Sequence, residues 1–153
     1  MARSISAGNL RHFMNFWPPF LFTGIRMREL SADYRHARVD LRQHWYNRNF
    51  VGTHFGGSLF AMTDPFWMIM TMQALGDGYI VWDKAATIDF VKPGRGTVTA
   101  TFTLTDAVLD QMRAATAGGA KYLHWFETPV TDEHGDTVAL VRKQVYIREK
   151  RKT

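Results

Sequence analysis

Gly56-Gly57-Ser58-Leu59-Phe60-Ala61-Met62-Thr63-Asp64-Pro65-Phe66-Trp67-Met68-Ile69-Met70-Thr71-Met72-Gln73-Ala74-Leu75-Gly76 is the segment on which the fold turns. Leu59, Phe60, Met62, Phe66, Trp67, Ile69, Met70, Met72 and Leu75 place apolar side chains almost all round a helix, and Gly76 supplies its stop. Such a helix has no face to give to water and must be enclosed on most sides. Its detail depends on Asp64 and Pro65. If one helix runs on from Gly57, the proline removes one of its bonds and a kink is expected near Ala61. If a helix starts at Pro65, Asp64 is its N-cap, and backbone amides satisfy the carboxylate. Interrupted by these two residues, Ser58 to Leu75 also falls short of the roughly 20 apolar residues that span a bilayer.

Upstream, Leu10 to Phe16 reads as a short helix stopped by Pro18-Pro19, because proline lacks the amide proton and restricts the residue before it. The apolar stretch from Phe13 to Ile25 is read as mature protein rather than as a signal-peptide core, since the proline pair interrupts it and no small-residue cleavage pattern follows. Tyr34 to Leu41 alternates, with Ala37, Val39 and Leu41 on one face and Tyr34, His36, Arg38 and Asp40 on the other, as in a half-buried strand. Downstream, Ala86–Val91 and Thr97–Thr105 are expected to pair as a hairpin across Lys92-Pro93-Gly94-Arg95-Gly96. Asp106 to Ala117 reads as a helix or turn ended by Gly118-Gly119. Tyr122–Val130 and Thr137–Arg148 then form a second hairpin about residues 132–136, with Pro129 near an edge or a strand end. One buried helix, one strand before it and two hairpins after it predict an α+β fold in which an antiparallel sheet wraps the helix. Because one sheet leaves a flank of that helix open, a second copy of the chain is the expected cover.

Composition narrows the functional classes. The 153 residues, 46% of them hydrophobic, suit a single domain with one core; residues 1–30 form a helical and apolar lead-in and 148–153 a solvated basic tail. Without cysteine there is no disulfide framework, thiolate metal site or cysteine nucleophile, and a reducing compartment, the cytoplasm, is the expected setting. The net charge of +5 is spread along the chain and comes with no nucleic-acid-binding motif, so neither nucleic acid nor membrane is an expected partner. His36, His44 and His54 lack metal-ligand spacing, and no metal is expected.

Asn49-Phe50-Val51-Gly52-Thr53-His54-Phe55-Gly56-Gly57 followed by Asp64 resembles the signature of hotdog-fold acyl-CoA thioesterases of the phenylacetate-degradation type. In that pattern an Asn, a Gly three residues on, a His-Gly-Gly triplet and an acid seven residues after the last Gly lead into the central helix. Asn49, Gly52, Gly56, Gly57 and Asp64 match; Phe55 takes the triplet's His position, with His54 one residue early. Trp17-Pro18-Pro19-Phe20, Val81-Trp82-Asp83-Lys84-Ala85-Ala86 and Phe90-Val91-Lys92-Pro93-Gly94 extend the likeness to the hotdog branch known as domain of unknown function 4442.

The resemblance implies hydrolysis of an acyl-CoA by a dimer or a dimer of dimers. Asp64 is then base or nucleophile, the amides of Gly56 and Gly57 steady the oxyanion from the opposite subunit, and Asn49 positions the carbonyl or the water. Around the substrate, His54 and Phe55 line the site, while Lys92 and Arg95 are placed to hold the phosphates of coenzyme A, which enters only as part of the substrate. No cofactor is implied. Each residue has a plainer role as well: helix cap for Asp64, tight turn for the glycines, packed residue for His54, solvated cations for Lys92 and Arg95. The same architecture also serves acyl or acyl-CoA binding without turnover, and dehydratase or isomerase chemistry on similar thioesters.

Overall fold

The computed structural model describes residues 5–151. α1 (Ala7–Phe16) begins at Ser6, whose hydroxyl accepts from the Asn9 amide, and turns Leu10 and Met14 inward. Pro18 ends it by opening a new helical turn, α2 (Pro18–Leu21), where a missing amide proton costs nothing. Next comes β1 (Ile25–Leu30), a strand absent from the expected order, tied to α1 by Asn15: its carboxamide donates to the Met27 carbonyl and accepts from the Met27 amide. β2 (His36–Arg42) follows, with Ala37, Val39 and Leu41 fully buried as the alternation requires.

The apolar segment is two helices, α3 (Gly56–Ala61) and α4 (Phe66–Leu75). β3 (Tyr79–Phe90), β4 (Thr97–Thr103), α5 (Asp106–Thr116), β5 (Lys121–Thr131) and β6 (Thr137–Glu149) complete the chain. The strands form one antiparallel sheet in the order β1-β2-β4-β5-β6-β3. α4 lies on its inner face: Trp67 stacks on Phe126 of β5 at 4.0 Å, meets Phe102 of β4 edge-on at 5.3 Å, and donates its indole N–H to Thr128. This is the α+β arrangement expected, a sheet around a hydrophobic helix. No described helix is long and apolar enough to cross a membrane.

Two expectations need correction. β3 and β4 do not form a hairpin. β3 pairs with β6 at the edge, and β4 pairs with β2 and β5. Residues 91–96 bridge the two intervening strands, roughly 14 Å at about 4.8 Å per strand, within the about 20 Å that six residues can reach. This link finds its partners elsewhere: Val91 and Lys92 donate to Val138, and Gly94 accepts from His54. The basic end is not a frayed tail either, as far as it is described. Arg148 and Glu149 lie in β6, Arg148 donates to the Gly119 carbonyl, and Lys150 bonds Gly78 and Asp77; Lys152 lies outside the described residues. The second hairpin forms as read. Pro129 sits two residues from the end of β5, where the ladder to β4 has already stopped at Val130.

Candidate active site

Pro65 shapes the site. Its ring cannot follow Ala61 in an unbroken helix without striking the carbonyl four residues back, and it has no proton to donate there. The α-helix therefore breaks where a kink was expected, and residues 62–65 form turns in which the Thr63 and Asp64 amides donate to the Phe60 and Ala61 carbonyls. α3 ends at Ala61, Asp64 lies in the gap, and Pro65 precedes α4 without any side-chain cap. The N-cap reading of Asp64 thus fails. Its carboxylate turns away from its own backbone, and Oδ1 accepts a 2.6 Å hydrogen bond from Nζ of Lys143. The Asp64 side chain is 62% exposed, and among the described residues Oδ2 accepts no hydrogen bond.

Lys143 was not anticipated, nor was its second partner, Asp83, at 3.2 Å. The lysine side chain is 3% exposed and belongs to the inward row Val141, Lys143, Val145 and Ile147 of β6, below the ring of Phe60. Burial pushes the Asp83 carboxyl above the usual carboxylate range, an effect that the nearby ammonium opposes. Oδ1 of Asp83 is buried without a partner among the described residues.

Asp64 and Gly57 line one cleft, of about 280 Å³, whose other walls are the apolar side chains of Trp17, Pro19, Phe20, Phe60, Ala61 and Pro65. Gly57 lies in the first turn of α3, which leaves its amide without an intrahelical acceptor. A side chain here would be crowded, since a Cβ on Gly57 would stand 2.5 Å from the Phe55 ring. Phe55 itself precedes α3 and is exposed.

Asn49, His54, Gly56 and Lys92 line a different cleft, of about 410 Å³, together with Leu59 and Phe90. Here the polar groups are already engaged. The Asn49 carboxamide donates to Thr53 Oγ1 and the His54 carbonyl and accepts from the amides of Val51 and Thr53. It clasps its own loop. His54 is buried, and because a carbonyl can only accept, the ring nitrogen 3.0 Å from the Gly96 oxygen, Nε2, carries the proton. Burial pulls its pKa below the usual imidazole range. Lys92 is held by Asp132 at 2.8 Å and Asp136 at 2.6 Å. Arg95 faces solvent outside both clefts and donates to the Gly52 carbonyl. The structure thus joins Asp64 to Gly57 and separates both from Asn49, His54 and Lys92 within one chain.

The model of the family described as Domain of unknown function (DUF4442) matches residues 8–147. The chain belongs to the DUF4442 family. Among curated proteins none matches its sequence. The DUF4442 chain is similar in structure to the Pseudomonas aeruginosa protein PA5026, described as a protein of unknown function and probable thioesterase. Identity is 20%, 95% of this chain and 97% of that one are covered, and the TM-score is 0.84. Thioesterase HI1161 of Haemophilus influenzae matches at 13% identity over 96% and 93% of the two chains, with a TM-score of 0.69. The Escherichia coli PaaI protein, from the phenylacetic acid degradation operon, matches at 20% identity over 95% and 94%, with a TM-score of 0.63. At these identities the likeness establishes the fold alone, and the DUF4442 chain has the hotdog fold.

Proposed function

We propose that this protein is an acyl-CoA thioesterase that works as a homodimer, alone or as a dimer of dimers, with Asp64 as its reacting carboxylate. The observation that carries the reading is the state of Asp64: one oxygen tied to a lysine, the other free, at an apolar cleft. A carboxylate so placed can take a proton from water as the water oxygen attacks the thioester carbonyl, or can attack it directly. With water as nucleophile, the new carbon–oxygen bond forms and the carbon–sulfur bond breaks; the proton held by Asp64 then passes to the leaving sulfur. Negative charge on the carbonyl oxygen is met by the amide of Gly57 of the partner subunit.

Two features support the second copy. β3 is a twelve-residue edge strand with Ile80, Trp82 and Phe90 exposed, able to continue the sheet into another β3. α4 keeps Met68, Ile69 and Met72 only half-buried, a stripe at helical spacing that a partner would cover. Of the two cations considered for the coenzyme A phosphates, Arg95 is the freer, since Lys92 is already held by two carboxylates.

A second reading, acyl-CoA binding without turnover, draws support from Asn49, whose carboxamide has no donor left for a substrate. Thiol release separates the two. Purified protein supplied with a panel of acyl-CoAs should liberate free coenzyme A, and Asp64→Asn should do so about 100-fold more slowly or worse. Equal release by the two proteins would remove Asp64 from the chemistry, and release by neither would leave only the binding reading.

A further inference from the structure

We infer that Lys143 is the positioning residue of this site: its ammonium grips Oδ1 of Asp64, so that Oδ2 alone meets the substrate, and Asp83 holds the lysine from the other side. This rests on the reading of Asp64 as the reacting carboxylate. Asp64 needs such a grip because it sits in a helix gap with its side chain largely in solvent, and its own backbone offers the carboxylate no bond. A free carboxylate there would turn about its side-chain bonds, and loss of alignment at a reacting atom is expensive in rate.

Stability alone does not account for the lysine. Val141, Val145 and Ile147 show that the inner face of β6 accepts aliphatic residues on either side. A buried ion pair rarely stabilises a protein more than apolar residues of similar volume, because desolvation offsets the attraction. The fold nevertheless makes room for it. β3 carries a bulge at Lys84, where the ladder steps from Asp83 opposite Val145 to Ala85 opposite Gln144. That extra residue sets Ala86, a small side chain, opposite Lys143 and leaves Asp83 diagonally across from it on the inner face. The Phe60 ring, its centroid 6.0 Å from the ammonium, closes over it from α3. Asp83 keeps one buried oxygen unpartnered, a cost that its hold on Lys143 explains.

Acyl-CoA hydrolysis by wild type, Lys143→Met, Lys143→Arg and the double variant Lys143→Met/Asp83→Asn tests the inference. The double variant removes the ammonium and its buried counter-charge together, so it folds even if Lys143→Met does not. Expected is a fall in kcat of about 10- to 100-fold in Lys143→Met and in the double variant, with KM within about twofold of wild type and partial recovery in Lys143→Arg. A purely structural lysine would instead lower the melting temperature and leave kcat per folded molecule alone. Wild-type kcat in either folded Met-bearing variant would overturn the inference. If wild type hydrolyses no acyl-CoA, the reading of Asp64 fails first, and the grip is judged separately from carboxyl carbon-13 resonances. Those of Asp64 and Asp83 should both move in Lys143→Met relative to wild type, and that of Asp64 should move in the double variant relative to an Asp83→Asn control; an unmoved Asp64 signal would refute the grip.

Discussion

Gly56 and Gly57 are neighbours in sequence but border different clefts, and those clefts treat their polar groups in opposite ways. Beside Gly56, the loop that carries Asn49 and His54 spends its hydrogen bonds on itself. Asn49 makes four, Asn47 pins the loop's start to the Thr23 and Arg42 carbonyls, and the imidazole of His54 is tied to Gly96. Beside Gly57, Asp64 is restrained through one oxygen and left open through the other. In the first cleft, residues that look chemical have spent their hydrogen bonds on the loop; in the second, a lysine that looks structural holds an open carboxylate. A residue's type shows what it can do, and its unspent hydrogen-bonding capacity shows whether it is placed to do it.

Substitutions on the two sides should therefore fail differently. Asp64→Asn, the largest effect expected, should lose rate while melting close to wild type, because the side chain it alters is mostly in water. Asn49→Ala should do the reverse. It removes four hydrogen bonds from a half-buried loop, about 2–3 kcal/mol at roughly 1 kcal/mol or less apiece, which lowers Tm by about 5–10 °C in a protein of this size. Thermal melts run beside the thiol-release assay would show both, and a slow Asn49→Ala enzyme with unchanged Tm would break the comparison. A smaller effect concerns pH. Burial holds the imidazoles of His54 and His124 below their ordinary pKa of 6.5, so below about that pH the unfolded chain takes up protons that the folded chain does not. Stability should fall as pH drops from about 6.5, and less steeply in His54→Gln. An identical slope in the variant would contradict the neutral, buried state of His54.

How much of this was legible in the sequence varied with the range of the interaction. α4 could be read because its composition alone demands enclosure, and the β5–β6 hairpin because its turn residues act locally. β1 could not. It is six residues long, three of them charged, and a bulge between Met27 and Glu29 breaks the alternation that would announce it. The partners of β3 and β4 are set by tertiary packing, and a Lys-Pro-Gly link reads the same whether it turns back or crosses over. Asp64 came from the likeness to a family, and only the broken helix removed the cap reading. Lys143 had a signal that went unused: in Val141-Arg142-Lys143-Gln144-Val145-Tyr146-Ile147 it occupies an inward position among aliphatic residues, where a cation requires a buried counter-charge. Asp83 had none, because the bulge at Lys84 changes the face to which that part of β3 belongs.

The most direct measurement is a crystal structure of the protein with a non-hydrolysable thioether analogue of an acyl-CoA. The account predicts two chains joined along β3, the acyl group between Trp17, Phe20 and Phe60, and the carbonyl-equivalent atom within hydrogen-bond reach of the Gly57 amide of the partner subunit, with Oδ2 of Asp64 facing the carbon that would be attacked. An analogue bound beside Asn49 and His54, with Asp64 turned to bulk solvent, would contradict it.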